Sequence, residues 1–591
     1  MILLPFPRRL FLLACLAALI GLAGGGAAWV LLHLIGLITN ATLFHRFGWK
    51  VPSFTHLHVG PWTVVAVVGG ALAVSLLAKW APAIRGHGIP ETMEAVLTRQ
   101  SRVAPRMAIA KPISAAIAIG TGGPFGAEGP IIVTGGAIGS IIGQIIPVSP
   151  SERKILLASG AAAGMAATFG SPLAAVVLAI ELLVFEFSTR ALVPLVVAAS
   201  VAGGMHALLL GRGALFSVPT HDFVGIGHLP LFALLGLACG LFAAVVTKGL
   251  FIVEDGFRRL PVGEFWHPVI GGLAFVAVGF GVPTALGVGY DRITAVLGGR
   301  LTVGALALLC VAKLVAWWLA LGSGTSGGTL APLLLVGGTF GALAGHLAHA
   351  AMPGLGVGIG AFALVAMAAT FGAASGATFT AIVFLFELTG TYELIVPLML
   401  ATVLAELVAS SLVPERLMTE KLARRGLTVQ RDYHADILAS TSVADVMTRK
   451  VDTIAADVTV AQARTTALAT RHSAHPVVDR DGRCISVVTR NELLEADDDN
   501  DPITELAGPD VISVAPNCAL TDALRLMLEE DIEHLPVLDD HRLVGICTRT
   551  DVLSARRRQL DHERREPGLV SRLKHRRRMR AGSTAVGPKA P

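Results

Sequence analysis

The chain has 591 residues, of which 53% are hydrophobic and 15% are charged, and its mean hydropathy is +0.68. This composition excludes a soluble protein of this length and indicates a polytopic membrane protein. The six cysteines are scattered without CxxC or metal-ligand spacing, so they predict neither a disulfide framework nor a metal site. The net charge of +5 is small, and most charged residues lie beyond Pro414.

The first 414 residues contain a series of apolar runs. The first run, over 10–38, follows Arg8 and Arg9 but is too long for a signal peptide and lacks a cleavage site. We therefore expect a retained membrane helix with a cytoplasmic N-terminus. Several later runs differ from the roughly 20 residues that span a bilayer and contain Gly or Pro, which predicts broken helices. These runs cover 61–81, 108–146, 155–184, 191–210, 229–253, 267–282, 301–321, 332–351, 356–387 and 394–413.

One carboxylate lies deep inside this apolar sequence, in the stretch GTGGPFGAEGP over 120–130. A lone ionisable residue at such depth, here Glu128, is a candidate functional residue. The surrounding glycines let the backbone approach a ligand, and Pro130 suits the first turn of a helix. The stretch therefore predicts a broken helix whose free N–H groups face a cavity.

An internal repeat organises the membrane part. The hexamer MAATFG at 165–170 recurs at 367–372, an offset of 202 residues. The same offset maps Gly126 to Gly328 and Pro130 to Pro332. We infer two homologous halves, about 40–210 and 240–413. Glycine-broken segments at corresponding positions of two repeats indicate a substrate site near the membrane midplane, and helix N-termini at that site favour an anion.

The two halves differ at the carboxylate, because the 202-residue offset maps Glu128 to Leu330. If the two helix N-termini converge, an ionised Glu128 would occupy the anion site and a protonated Glu128 would leave it. The alternative is a structural carboxylate that a salt bridge satisfies in a packed core. The sequence offers no evident basic partner nearby for such a bridge, because Lys111 lies several helical turns upstream.

Three motifs in this order, GHGIP at 86–90, GAEGP at 126–130 and GTLAP at 328–332, resemble those of the CLC family of chloride channels and proton/chloride exchangers. The resemblance implies that Glu128 is the gating glutamate and that backbone amides surround the permeating anion. It also implies a homodimer with one pore in each subunit. The predicted anion-site residues are Gly86, His87, Gly88, Ala127, Glu128, Gly129, Thr329 and Leu330.

Three positions depart from the family pattern. His87 replaces a common serine; its imidazole can donate to chloride and gain charge, or it can face away and bond to backbone. Met418, in ERLMTEKLARRG, replaces a tyrosine that contacts the anion site in much of the family. Leu182 follows Glu181 where exchangers have a proton-relaying glutamate, and Glu181 matches a structural neighbour. We therefore expect a voltage- or pH-gated channel for chloride, with a proton-coupled chloride antiporter as the alternative.

Beyond Pro414 the sequence becomes that of a soluble domain. Two units, 442–494 and 503–556, each contain a His-(x)-Pro-Val strand, an acidic turn and a strand ending in Thr-Arg. They resemble a tandem CBS pair, a module that often binds adenine nucleotides. The Thr and carboxylate three positions apart at a helix start can reach a ribose or can cap the helix. These candidate nucleotide-binding residues are Thr489, Glu492, Thr548 and Asp551.

The predicted fold class is an α-helical polytopic membrane protein with two inverted repeats of broken helices, plus a C-terminal α/β CBS-pair domain. The transport domain covers 1–414, a linker 415–441, the CBS pair 442–556 and a basic tail 557–591. The tail meets anionic lipid headgroups or is a solvated segment, and no nucleic-acid partner is expected.

The sequence predicts transport and not catalysis. The membrane runs contain no HExxH, no GxSxG and no paired aspartates that would support an enzyme using Glu128 and His87 as acid and base. No cofactor is required, apart from a candidate adenine nucleotide at the CBS pair. We expect an integral protein of the plasma (inner) membrane with a cytoplasmic CBS pair. Its expected partners are chloride or a similar anion, the lipid bilayer, a second copy of the chain and, in the antiporter alternative, protons.

Overall fold

The computed structural model describes residues 6–216, 218, 225–427, 441–470, 472–496, 498–506, 511–555 and 557. The chain forms two compact units, one within 1–433 and the other within 434–591. Each unit has its own hydrophobic core. The basic tail beyond residue 557 and about half of the predicted linker, 428–440, lie outside the described residues.

The first unit consists of helices. Within its described residues, seven helices are long and apolar enough to cross a membrane, and several shorter apolar helices accompany them. The helices of the N-terminal half are α1 Phe6–Leu43, α2 Pro61–Trp80, α3 Ile89–Thr98, α4 Met107–Gly120, α5 Glu128–Ile145, α6 Pro150–Phe169, α7 Pro172–Ala179 with a π-helical turn Ile180–Val184, and α8 Thr189–Leu209.

The C-terminal half repeats this order. Its helices are α9 Leu229–Arg258, α10 His267–Gly281, α11 Tyr290–Leu297, α12 Val303–Gly322, α13 Leu330–Ala351, α14 Ile359–Ser375, α15 Thr378–Thr389 and α16 Ile395–Leu412. A short helix, α17 Glu420–Arg424, follows. Residues 415–427, which the sequence assigned to the linker, thus belong to the membrane unit, where Arg416 and Met418 are buried.

Helix contacts relate the two halves. α1 packs against α6 and α8, and α9 packs against α14 and α16 in the same way. α5 packs against α6 as α13 packs against α14. The halves are therefore α1–α8 and α9–α16, and the first half begins upstream of residue 40.

Three of the predicted apolar runs are each two helices. The run 108–146 breaks between α4 and α5, 155–184 between α6 and α7, and 356–387 between α14 and α15. Gly170 ends α6 and Gly376 ends α14, both with a left-handed backbone. Because α14 continues for one more turn after the shared hexamer, the offset between equivalent residues grows from 202 to 206 at this break.

Small residues let the helices of one half approach closely. A Cβ atom on Gly135 of α5 would overlap the carbonyl oxygen of Gly160 on α6, and a Cβ on Gly160 would overlap the carbonyl oxygen of Gly135. Such contacts are typical of membrane helices, where packing replaces the hydrophobic effect between helices. They fix α5, and with it the start of α5 at Glu128.

Two carboxylates cap helices of the opposite half in a reciprocal manner. Glu181 accepts from the backbone N–H groups of Phe379 and Thr380 at the start of α15, at 3.0 and 2.9 Å. Glu387 accepts from Leu173 and Ala174 at the start of α7, at 3.0 and 2.7 Å. Each carboxylate satisfies free N–H groups at a helix N-terminus. Glu181 is thus placed as a structural carboxylate between the halves.

The second unit contains two small sheets. The strands β1 Ile454–Ala455, β2 Ala474–Val478 and β3 Cys484–Thr489 form one sheet, with β1 parallel and β3 antiparallel to β2. The antiparallel strands β4 His534–Asp539 and β5 Arg542–Thr548 form the other. The helices of this unit include α18 Val460–Ala469, α19 Arg490–Glu495, α20 Ile503–Leu506 and α21 Leu520–Glu529, and residues 549–555 are also helical.

Candidate functional site

The second and third motifs pair backbone to backbone. The N–H of Gly126 donates to the carbonyl of Gly328 at 3.1 Å, and the N–H of Gly328 donates to the carbonyl of Gly126 at 2.8 Å. Because these glycines are equivalent in the two repeats, their reciprocal pairing defines a local pseudo-twofold axis. The helices α5 and α13 start two residues after this pair. Their N-termini, with free N–H groups and partial positive charge, therefore meet at one point.

The first motif closes on the same point. The N–H of Gly86 donates to Thr325 O at 3.3 Å, and a Cβ on Gly129 would overlap the carbonyl oxygen of His87. Gly88 has φ of +96° and leaves no room for a side chain beside Val133. The structure thus brings together the predicted residues of all three motifs: Gly86, His87, Gly88, Ala127, Glu128, Gly129, Thr329 and Leu330.

Two fully buried lysines hold the glycine loops. Lys111 Nζ donates to the carbonyls of Ile84 and Gly86 at 2.7 and 2.8 Å. Lys313 Nζ donates to Ala285 and Gly287 at 3.2 and 2.6 Å. Lys111 is therefore a loop support, and no salt bridge to Glu128 is found within the described residues.

The Glu128 carboxylate lies between the two repeat loops. Its side chain is 1% exposed. A Cβ on Gly126 would overlap the carboxylate, and a Cβ on Gly328 would lie 2.6 Å from Oε2. Oε2 has no hydrogen-bond partner in the part of the chain that the structure describes. Glu128 is thus a carboxylate without an ion-pair partner among the described residues, and it occupies a space the glycines leave open, at the point where two helix N-termini meet.

A tyrosine that the sequence analysis missed contacts this carboxylate. Tyr290 Oη donates to Glu128 Oε1 at 3.1 Å. Tyr290 begins α11 and follows Gly289, whose φ is +88°. A 201-residue offset aligns GHGIP at 86–90 with GVGYD at 287–291. The repeat of the first motif thus marks the position of Tyr290 in the sequence.

His87 faces a vestibule on one side of the site. It lines a cavity of about 750 Å³ together with residues of 82–99, 250–267, 321–324 and 417–425. His87 is 3% exposed, and its Nδ1 has no hydrogen-bond partner among the described residues. Six arginine or lysine side chains and five glutamate side chains line this cavity. Because these charges nearly balance, the attraction for an anion rests on the helix N-termini more than on the vestibule.

The other two altered positions provide no polar group to the site. Met418 is buried, and its neighbour Leu417 lines the vestibule with His87. Leu182 is buried in the π-helical turn after α7. Neither side chain can donate or relay a proton.

The four candidate nucleotide residues form two helix caps. Glu492 Oε2 accepts from the N–H and hydroxyl of Thr489 at 2.7 and 2.8 Å. Asp551 Oδ2 accepts from the N–H and hydroxyl of Thr548 at 2.9 and 2.7 Å. Both Thr-x-x-carboxylate pairs thus show the capping geometry that the sequence left as one of two alternatives.

The family model described as voltage gated chloride channel matches residues 69–410, and the CBS domain model matches residues 443–499 and 503–558. The H(+)/Cl(-) exchange transporter ClcA of Vibrio campbellii is 31% identical over 426 residues, which cover 70% of this chain and 89% of that protein. The putative chloride channel protein ClcB-like of Ralstonia nicotianae is 29% identical over 374 residues, 62% of this chain and 86% of that protein.

Solved structures share the fold. A slow cyanobacterial Cl-/H+ antiporter superposes with a TM-score of 0.61 at 24% identity, over 71% of this chain and 99% of that one. A eukaryotic CLC transporter superposes with a TM-score of 0.57 at 20% identity, over 92% of this chain and 98% of that one.

These matches confirm the predicted fold class, an α-helical polytopic membrane protein with two inverted repeats of broken helices and a C-terminal α/β CBS pair. They also assign the chain to anion transport. The chain belongs to the CLC family of voltage-gated chloride channels and H+/Cl− exchangers, with a tandem CBS domain at its C-terminal end.

Proposed function

We propose that the protein exchanges chloride for protons across the membrane and that Glu128 is the group that couples the two. The observation that favours this function is the buried Glu128 carboxylate at the meeting point of α5 and α13, whose Oε2 has no hydrogen-bond partner among the described residues. Relatives at 30–32% identity that are named H(+)/Cl(-) exchange transporters support exchange over the channel that the sequence alone favoured.

The geometry suggests how one carboxylate can serve both ions. An ionised Glu128 is itself an anion at the helix N-termini and competes with chloride for the same N–H groups. Protonation removes its charge, so the helix N-termini no longer hold it and chloride can take its place. When the carboxyl group releases its proton to the opposite side of the membrane, it returns to the helix N-termini and displaces chloride. Each cycle then moves a proton and chloride in opposite directions.

Passive chloride conduction is the second candidate, and Leu182 favours it. Leu182 stands where exchangers of the family have a proton-relaying glutamate, and it is buried in the π-helical turn Ile180–Val184. In this case Glu128 would still open and close the pore, and protons would act only as a trigger.

Simultaneous recording of chloride and proton flux in liposomes tests the proposal. Purified protein under an outward chloride gradient should move protons inward in a constant ratio to chloride. Glu128→Gln should continue to pass chloride and should stop proton movement, because an amide cannot exchange a proton at neutral pH. Glu393→Gln, at an exposed carboxylate, should behave like the wild type. Chloride flux without proton flux in the wild type would establish the passive channel instead.

We also propose a homodimer with one anion pathway in each subunit, located in the plasma (inner) membrane with the CBS pair on the cytoplasmic side. Family membership supports this arrangement. Light scattering of the detergent-solubilised protein would give its mass, and a monomeric mass would contradict the dimer.

Adenine nucleotide remains the proposed ligand of the CBS pair. The two family-model matches at 443–499 and 503–558 support it. The helix caps engage one oxygen of each of Glu492 and Asp551. Calorimetric titration of the purified protein with ATP, ADP and AMP would test binding, and the absence of heat with all three would argue against it.

A further inference from the structure

The Glu128 carboxylate has one side-chain partner among the described residues. Tyr290 Oη donates to Oε1 at 3.1 Å, while Oε2 has no hydrogen-bond partner. The Tyr290 hydroxyl is therefore the one side-chain group among the described residues that helps the helix N-termini to hold this carboxylate.

The pseudo-twofold axis shows that this polar pair occurs on one side only. The equivalent of Glu128 is Leu330, and the equivalent of Tyr290 is Ile89. Glu128 and Tyr290 are both polar, whereas their equivalents in the other repeat, Leu330 and Ile89, are both apolar. An apolar residue at this helix start is thus compatible with the fold, so the hydroxyl is explained by the carboxylate beside it.

The backbone holds the hydroxyl in position. The N–H of Gly287 donates to Gly122 O at 3.0 Å, which ties the entry to α11 to the loop of Glu128. Lys313 Nζ donates to Gly287 O at 2.6 Å. On the other side the ring of Phe216 packs against the Tyr290 ring, with centroids 6.0 Å apart. These contacts fix the ring, so the carboxyl group is the member of the pair that must move.

We propose that Tyr290 is a positioning residue that latches the ionised Glu128 carboxylate in its seat between the repeats, and that each transport cycle breaks this hydrogen bond. The inference rests on the proposed gate role of Glu128. Charged groups nearby are Lys313, which bonds to backbone carbonyls, and Asp291, which pairs with Arg292 at 3.3 Å. Neither makes an ion pair with Glu128 within the described residues, so the hydroxyl is not redundant with a salt bridge.

Chloride efflux from liposomes, measured for Tyr290→Phe between pH 5 and pH 8, tests the latch. A hydrogen bond to a charged group stabilises that charged state, and its loss favours release of the gate. At pH 8 we expect efflux to rise about tenfold. The pH of half-maximal efflux should move upward by about one unit. Tyr392→Phe, at an exposed tyrosine, should leave both quantities unchanged.

A double-variant cycle distinguishes the latch from a packing effect. In the Glu128→Gln background, Tyr290→Phe should change neither the rate nor the pH profile, because the ionised carboxylate that it holds is gone. An equal acceleration in both backgrounds would overturn the latch, and so would a wild-type profile for folded Tyr290→Phe. Proton flux recorded in the wild type reports separately on exchange: an uncoupled wild type would refute exchange, while the efflux data would still decide the latch.

Discussion

At the scale of single residues, the space for the gate depends on two glycines. Gly126 and Gly328 face each other across the pseudo-twofold axis, and the Glu128 carboxylate fills the volume that their missing side chains leave. The glycines thus serve two purposes, since they permit the backbone pairing and they provide the seat.

Gly126→Ala should therefore expel the carboxylate without removing it. The new Cβ would overlap Glu128 Oε2, and overpacking in a close-packed site costs about 1–3 kcal/mol. We expect the ratio of chloride efflux at pH 5.5 to efflux at pH 8 to fall toward one, because the seated gate no longer forms. Gly69→Ala, where a Cβ meets nothing within 4 Å, is the control. An unchanged efflux ratio in folded Gly126→Ala would contradict the proposed seat.

The sequence was sufficient to find Glu128 but not its partner. The repeat, the lone carboxylate and the glycine motifs predicted which segments meet, and the three motifs do meet. Tyr290 lies between two apolar runs, 267–282 and 301–321, so the hydropathy pattern does not mark it. The 201-residue offset would have marked its position, but a hydrogen bond to Glu128 depends on how α11 approaches α5. Sequence spacing does not determine that approach.

At the scale of helices, the reciprocal caps at Glu181 and Glu387 join the two halves. Glu181→Ala should leave the N–H groups of Phe379 and Thr380 without their acceptor, at a cost of about 1–3 kcal/mol. Glu387→Ala should cost a similar amount at the start of α7. The apparent midpoint of thermal unfolding in detergent should fall for both variants. Glu186→Ala, at an exposed carboxylate, is the control, and an equal fall there would contradict a capping role.

The helix breaks were harder to predict than the helices. The composition is apolar on both sides of 170–171, so the run 155–184 reads as one element. Gly170 and Pro172 were the available signals, since glycine ends a helix in a left-handed conformation and proline starts the next one. The π-helical turn at Ile180–Val184 has no comparable sequence signal.

A buried histidine should make the C-terminal unit sensitive to acid. His475 is fully buried, with Nε2 2.7 Å from Thr470 Oγ1, and burial lowers its pKa below the ordinary value of 6.5. His472 and Arg490 lower the pKa further, and Asp452 opposes them. As the pH falls through 6.5 the unfolded chain binds a proton before the folded unit does, so stability declines below that pH and is unaffected well above it.

The unfolding midpoint of the C-terminal unit in the full-length protein measures this effect. The midpoint should be lower at pH 5.5 than at pH 7.5, and His475→Gln should reduce the difference. His541→Asn is the control, because His541 is exposed and Asn tolerates its left-handed backbone. An undiminished difference in His475→Gln would exclude this histidine as the cause.

At the scale of the whole molecule, the fold supplies a symmetric frame and an asymmetric site. The two halves share helix order, loop lysines and reciprocal caps. The polar pair Glu128 and Tyr290 breaks the symmetry, because its equivalents are Leu330 and Ile89. The frame brings helix N-termini together for an anion, and the polar pair adds a carboxylate that can exchange a proton.

The sequence predicted this frame well but not the choice between exchange and passive conduction. The repeat and the three motifs were enough for the family. Leu182 favoured a channel, because leucine replaces a proton-relaying carboxylate and such a replacement is visible in the sequence. A proton route that uses other groups or water leaves no spacing that a sequence analysis can recognise.

Uphill proton movement in liposomes distinguishes exchange from passive conduction. Liposomes containing the protein are given a chloride gradient at equal starting pH, with the membrane potential clamped to zero by potassium and valinomycin. We expect chloride leaving the liposomes to drive protons in until a pH gradient forms, and we expect Glu128→Gln to abolish this gradient. Chloride efflux with no pH gradient in the wild type would contradict exchange.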